Sequence, residues 1–396
     1  MDQLRWDPFD VDLDTDPYDT WRRMRDEAPV YRNDDLDFFA LTRYQDVEDA
    51  HRDPATYCSS HGTVLEMMSA NRIPSGMMIF LDPPDHTRLR TLVSRAFTPR
   101  RIGSLEERIR GFCTELLDGW SDDDSFDYVQ SFGAQLPSMV ISALLGVPPE
   151  DREHVRHQID EVFHLDPEHG MINHVSLTAQ IELHQYLCAA LEERQASPRD
   201  DMLTDLVQAE VTDDSGQTRR LTLEESASFA NLLISAGTET VARLLGWAAV
   251  TLAEHPDQQA ELAADHSLIP NAVEELLRYE APSPVQGRWL TRDVELHGTT
   301  MPADSKVLLI TGSAGRDERK YPDAHRFDIH RNFDHHVSFG YGIHFCLGAA
   351  LARMEGRIAL EETFKRRKGW TVDLDGAVRL HTSTVRGWVN VPVLAA

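Results

Sequence analysis

The chain has 396 residues, 41% hydrophobic and 27% charged, an ordinary globular balance with length enough to bury a core and enclose a cofactor. Its formal charge of -27 argues against general nucleic-acid binding, which needs a basic footprint, and favours solubility without bearing on fold. No apolar run approaches the roughly 20 residues needed to span a bilayer. Met1-Asp-Gln-Leu-Arg-Trp-Asp-Pro8 also lacks the basic start and apolar stretch of a signal peptide, so a soluble cytoplasmic protein is expected.

In chain order, strand signals come first, at Val30-Tyr31 and Phe38-Phe-Ala-Leu41. The loop from Ser59 to Phe80 is rich in Met67, Met68, Met77, Met78, Ile79 and Phe80, flexible apolar groups that suit an adaptable pocket as well as core filling. Beyond about residue 85 most of the chain reads as helix. Arg88 to Phe97, Leu105 to Trp120, Leu136 to Leu145, Val175 to Arg194 and Leu223 to His255 carry apolar residues at three- and four-residue spacing. Ala196 to Arg220, with Pro198, Gly216 and several aspartates, reads as a surface connection around a short helix at Met202 to Ala209.

The helix from Thr222 is the longest. Thr222-Leu-Glu-Glu225 fits a capping box, and a run to His255 spans about 50 Å at 1.5 Å per residue, enough to cross the molecule. Its centre, Ser235-Ala-Gly-Thr-Glu-Thr240, is polar within an apolar helix. Gly237 weakens a helix interior by about 1 kcal/mol relative to Ala, and hydroxyls can bend the ladder. Further on, Glu275-Leu-Leu-Arg278 puts two opposite charges on one helix face. Strand signals return at Trp289, Val294-Glu-Leu296 and Val307 to Ile310, then at Trp370 to Leu374 and Val389 to Val393. The chain is mainly α with a minor β portion. With no repeat, no low-complexity linker and no convincing cut, residues 1–396 are expected to form one domain.

The four cysteines, Cys58, Cys113, Cys188 and Cys346, are far apart and form no Cys-x-x-Cys pair, which gives a zinc or thioredoxin-type reading no support. Cys58, Cys113 and Cys188 lie in bland contexts and are expected to be small buried hydrophobes. Cys346 differs. It follows a glycine-spaced loop and precedes Leu347-Gly-Ala-Ala-Leu-Ala-Arg-Met-Glu355, a strong helix former. It therefore sits at or just before a helix N-terminus, where free amides and the dipole favour thiolate. Gly340, Gly342 and Gly348 remove side chains where the backbone must pass something flat and bulky.

The whole pattern, Phe339-Gly-Tyr-Gly-Ile-His-Phe-Cys-Leu-Gly348, resembles the haem-binding loop of the cytochrome P450 family at every fixed position. The resemblance runs from Pro17-Tyr-x-x-Trp-x-x-Met-Arg25 to the C-terminal strands. It implies that fold, with haem b between the long central helix and the cysteine-loop helix, and Cys346 as the thiolate ligand to iron. Phe339, Gly340, Ala236 and Gly237 are implied as neighbours of the haem. Glu275 and Arg278 match the family's Glu-x-x-Arg. Arg331, in Phe327-Asp-Ile-His-Arg331, matches its third, structural member.

His86 and Arg90, four apart on the helix that begins after Asp82-Pro-Pro84, match the residues that hold the haem propionates, as do Arg288 and His344. Ala236-Gly-Thr-Glu-Thr240 resembles the oxygen-activation segment. Splitting dioxygen in a dry pocket consumes two protons, which the Thr240 hydroxyl and the Glu239 carboxylate would deliver, with Gly237 opening space. One departure is Gly315, where the family commonly has Asn, which leaves the packing of that segment open.

The implied reaction is insertion of one atom of O2 into an apolar organic substrate. Its walls would be the loop 59–80 (Met78, Ile79), the region Val162 to Leu177, the central helix (Leu232, Leu233), the bend Pro284-Val285-Gln-Gly287 and the turn Thr382 to Val385. Electrons would come from a separate ferredoxin and its reductase, because no flavin or nicotinamide domain is fused. Arg88, Arg90, Arg95, Arg100 and Arg101 stand close enough to offer such a ferredoxin a basic face. A peroxide-driven peroxygenase and a non-catalytic haem-thiolate binding protein are the alternatives, and Glu239-Thr240 argues against both.

Overall fold

The structure is a computed structural model that describes residues 4–395 apart from 74, 75, 95, 96, 122–124, 164, 165, 167–169, 171, 172, 213–215, 217 and 333. Its α-helices are α1 (Val11–Thr15), α2 (Tyr18–Glu27), α3 (Tyr44–Arg52), α4 (Asp85–Ser94), α5 (Pro99–Gly103), α6 (Glu106–Leu117), α7 (Gln135–Leu145) and α8 (Arg152–Val162). They continue with α9 (His174–Ala196), α10 (Met202–Gln208), α11 (Leu223–Glu254), α12 (Pro256–Ala264), α13 (Ile269–Tyr279), α14 (Thr311–Ala314) and α15 (Ala349–Arg366). No helix among the described residues is long and apolar enough to cross a membrane.

Helix α11 organises the rest. Thr222 accepts from the Glu225 amide, and the Glu225 carboxylate accepts from the Thr222 amide. This capping box satisfies two of the free donors of the first turn. The helix runs unbroken through its polar centre because its hydroxyls bond within it: Thr238 Oγ1 donates to the Ile234 carbonyl at 2.9 Å and Thr240 Oγ1 to that of Ala236 at 3.1 Å. Apolar residues all round it, from Phe229 to Leu252, pack into one large core with α6, α7, α9, α13 and α15. A helix apolar on every face is stable only when enclosed in this way.

The strands are β1 (Val30–Asn33), β2 (Phe38–Leu41), β3 (Tyr57–Cys58), β4 (Phe126–Asp127), β5 (Glu210–Thr212), β6 (Thr218–Arg220), β7 (Val285–Leu290), β8 (Val294–Leu296), β9 (Thr299–Met301), β10 (Lys306–Ile310), β11 (Trp370–Val372), β12 (Val378–His381), β13 (Arg386–Asn390) and β14 (Pro392–Ala395). The main sheet has the order β1-β2-β10-β7-β3, with β10 parallel to β2 and antiparallel to β7. Two smaller cores flank it, one around Val47, Leu290 and Tyr321, the other around Trp21, Met24 and Trp289.

The expected elements recur with shifted edges. The helix expected at Arg88 to Phe97 starts earlier, at Asp85, because the preceding prolines set its first turn. The connection 196–220 also carries the hairpin β5–β6, which its polar composition concealed. The strand expected at Val389 to Val393 is two strands, β13 and β14, which belong to different sheets and meet at Val391. Cys188 is half-buried rather than buried, unlike Cys58 and Cys113. The helices α3, α8 and α12 were not expected; each is short, and α3 and α8 are highly charged.

Candidate active site

The Cys346 loop is held at both ends. The Cys346 amide donates to the Phe339 carbonyl at 2.9 Å, and the Gly340 amide donates to that of Val337 at 2.8 Å. Gly340 and Gly342 both have left-handed backbones, φ 66 and 67. A Cβ at Gly342 would lie 2.4 Å from the His51 carbonyl oxygen, so α3 presses directly on the loop and glycine is required there. Cys346 itself precedes α15, whose first residue is Ala349. Burial pushes its thiol up, while the Gly348 amide and the Arg90 and Arg353 guanidiniums act to bring it down. Phe339 packs under the Arg353 guanidinium, 4.6 Å from its ring centre.

Around this loop the fold gathers five basic groups from three elements and the loop itself. His51 comes from α3, His86 and Arg90 from α4, Arg288 from β7 and His344 from the cysteine loop. His86 and His344 rings lie 4.2 Å apart. Both ring nitrogens of His51 and of His86 are buried and have no hydrogen-bond partner. Arg288 is 5% exposed, yet its guanidinium donates merely to the neighbouring Gly287 carbonyl.

Burial, with Arg288 beside it, pulls His51 down to about 3, and burial with Arg90 pulls His86 to about 4. Burial and then Arg288, His86, His51 and Arg90 pull His344 to about 2, and burial pulls Arg288 to about 10. Asp82, whose field reaches Arg288 and His86, has its oxygens on the Ser59 and Ser60 amides. Buried donors without acceptors are costly, and a cluster of them with one sign is a site built for an anion. Haem carboxylates fit it. His51 was missed from sequence, because only the fold brings α3 to this place.

On α11, Ala236 is exposed although its neighbours on either side along the helix are buried or half-buried. That opening suits a flat cofactor. Gly237 points elsewhere than expected: a Cβ there would make ordinary contact with Ile141 of α7 at 3.6 Å, so the glycine faces a helix and not an oxygen space. Thr240 and Glu239 are not in contact with each other's polar atoms through any described bond. Thr240 bonds the Ala236 carbonyl, while Glu239 accepts from Arg243 Nε at 2.8 Å. Arg243 in turn donates to the Trp388 carbonyl of β13. Asp160 of α8 lies within reach of Glu239's field; burial, then Glu239 against the opposing Arg156, leaves its carboxyl raised. Arg243, at i,i+4 from Glu239, was legible as a pair and was not read.

The three structural residues meet at one carboxylate. Arg278 donates to both oxygens of Glu275 at 2.7 Å, and Arg331 Nε donates to one of them at 3.1 Å. Their other donors reach carbonyls of Gly315, Ala324, Pro322, Asp323 and Arg326. Gly315 is explained here. A Cβ would lie 2.4 Å from the Arg278 carbonyl oxygen, so this chain closes the segment more tightly than Asn allows.

Of the expected pocket residues, Met78, Leu233 and Val285 are buried in packed cores, whereas Ile79, Leu232 and Val385 keep exposed surface. Three of the expected wall segments are tied together. Thr384 Oγ1 donates to the Val285 carbonyl at 2.8 Å, and Ser383 Oγ donates to Glu66 at 2.6 Å. Much of Val162 to Leu177 lies outside the described residues. The basic face is thinner than expected: Arg88 pairs with Asp85, Arg101 pairs with Asp205, and Arg95 lies outside the described residues.

A cytochrome P450 family profile matches residues 35–368. The chain belongs to the cytochrome P450 family. It is 40% identical to a putative cytochrome P450 of Mycobacterium tuberculosis over 99% of this chain and 97% of that one. It is also 40% identical to a vitamin D(3) 25-hydroxylase of Pseudonocardia autotrophica, over 95% and 93%. The structure of a cytochrome P450 from Chondromyces apiculatus superposes with a TM-score of 0.89 at 34% identity, covering 99% and 98%. The protein is thus a haem-dependent monooxygenase, an oxidoreductase that binds haem b and iron and acts on an organic substrate.

Proposed function

We propose that this cytochrome P450 uses O2 to hydroxylate or epoxidise a bulky apolar substrate in the cytoplasm, with electrons from a separate ferredoxin and reductase. The observation that carries the reading is the basic cluster beside Cys346, in which the buried ring nitrogens of His51 and His86 have no partner. His86, Arg90, Arg288 and His344, joined by His51, would hold the two propionates. Cys346 would bind the iron, with Phe339 and Gly340 beside it. The haem supplies the redox centre at which dioxygen is reduced and one oxygen atom is transferred.

The chain's own contribution above that centre is proton control. Thr240 must turn its hydroxyl from the Ala236 carbonyl towards the pocket, and Glu239 must swing off Arg243 to relay a proton. Asp160 of α8 lies within reach of the field of Glu239. Ile79, Leu232 and Val385 would meet the substrate. The vitamin D(3) 25-hydroxylase relative supports a bulky apolar substrate class. Arg100 would contribute to docking an acidic ferredoxin.

The test has two arms. The reduced, carbon-monoxide-treated holoprotein should show the red-shifted Soret band of thiolate ligation; its persistence in Cys346→Ala defeats the ligand assignment. Turnover of a spin-state-shifting ligand should require the ferredoxin system, and Thr240→Ala should lower product formed per electron consumed by about 10²-fold or less. Equal coupling in that variant, or faster turnover with peroxide alone, defeats the oxygen route.

A further inference from the structure

One cluster of ligating side chains lies apart from the haem site. His184 and Cys188 are one turn apart on α9, and Glu224 is in the first turn of α11. His184 Nε2 is 3.1 Å from Glu224 Oε2 and 3.6 Å from Cys188 Sγ, and the three atoms lie within 4.8 Å of one another. A single imidazole nitrogen therefore faces a sulfur and a carboxylate oxygen at once. It has one lone pair or one proton to give, so it cannot serve both well. A cation between the three serves all of them.

Two of the three separations are close to those of a tetrahedral centre. Zinc bonds of about 2.3 Å to sulfur and about 2.05 Å to nitrogen and oxygen require S···N of about 3.6 Å and N···O of about 3.4 Å. The observed 3.6 Å and 3.1 Å are close to both. Charge agrees with geometry. Glu192, a turn beyond Cys188, adds to the negative field at the sulfur, and among the described residues Glu224 forms its ion pair with His184 rather than with an arginine or lysine. Glu224 is 72% and His184 29% exposed, so an ion can enter from solvent.

We propose that His184, Cys188 and Glu224 form a zinc-type divalent metal site that clasps α9 to the first turn of α11, with water in the fourth position. Binding releases the Cys188 thiol proton to the buffer, because the thiolate is the ligand. The imidazole and thiolate favour zinc over magnesium or calcium, which prefer oxygen donors.

The experiment is calorimetric titration of tag-free, haem-loaded protein with zinc chloride in chelator-treated, thiol-protecting buffer. One zinc per chain is expected to bind with an unchanged Soret band and a raised melting temperature. His184→Ala and Cys188→Ser should each weaken binding at least ~10-fold, since even outer partners of metal ligands are worth about 10–100-fold. His330→Ala removes an exposed His–Glu pair that lacks a thiol and should change nothing. The Soret band and the zinc-free melting temperature establish that each variant is folded, and Glu224→Gln, at an exposed position, gives a milder loss. No saturable binding to the wild type, or unchanged binding in both His184→Ala and Cys188→Ser, overturns the site.

Discussion

The Glu275 cluster and the cluster beside the cysteine loop both bury basic groups, and they are built oppositely. In the Glu275 cluster, two guanidiniums share one carboxylate and their remaining donors reach carbonyls. In the cluster of His51, His86, Arg90, Arg288 and His344, two histidines have no partner at all, and the nearby Asp82 carboxylate is held by the Ser59 and Ser60 amides instead. A satisfied network is architecture, because removing any part leaves a buried charge exposed to low dielectric. An unsatisfied network of one sign is a receptor, because what is missing is the ligand. Composition does not separate them; the count of unmet donors does.

The largest effect expected is from Glu275→Gln. It leaves Arg278 and Arg331 buried without their shared anion and should cost about 3–5 kcal/mol. Urea unfolding at matched haem loading measures it. A loss below about 1 kcal/mol would show that the carbonyls alone satisfy the guanidiniums. Arg288→Met should behave in the opposite sense. The haem-free protein should be no less stable, since an uncompensated buried cation has been removed, while haem should leave the holoprotein faster by the worth of a charged hydrogen bond, about 1.5–3 kcal/mol. Transfer of haem to an apo-globin acceptor reads this. Destabilisation of the haem-free form would place Arg288 with the architectural cluster instead.

Gly315→Asn sharpens the architectural side. The added Cβ meets the Arg278 carbonyl at 2.4 Å, and backbone must yield. A cost of about 1–3 kcal/mol is expected, with the Soret band unchanged. If the variant is as stable as the parent, the tight closure at Gly315 does not constrain the Glu275 cluster.

The two clusters were not equally legible. Glu275, Arg278 and Arg331 were readable because a family pattern fixes all three, and the cysteine loop because every fixed position of a ten-residue pattern matches. His86 and Arg90 were readable as one face of one helix. His51 was not: α3 is a charged nine-residue helix, and nothing in its spacing separates His51 from a surface residue until Gly342 is seen pressing on its carbonyl. Distance in sequence hid Glu224 from His184 in the same way, whereas the His184–Cys188 spacing on one face was visible. Gly237 was misread because a glycine in a helix says that a side chain is absent and not which neighbour uses the space.

The smallest effect tests what an unpartnered histidine contributes when no haem is present. Burial, with Arg288 close by, holds His51 at about 3, below its ordinary 6.5. Below about pH 6.5 the unfolded chain therefore takes up a proton that the folded chain refuses. Stability is complete above that pH and falls as the pH drops towards about 3, by at most about 1.4 kcal/mol per pH unit for this one group. His51→Leu should remove that share of the slope from the haem-free protein between pH 7 and 5, leaving the shares due to His86 and His344, held at about 4 and about 2. In the holoprotein a propionate beside the ring would favour the charged form, so the wild-type slope should shrink on haem binding while that of the leucine variant changes less. The opposite result, a steeper slope with haem bound, would mean that His51 remains unpaired and that the propionates are held by Arg90, Arg288, His86 and His344 without it.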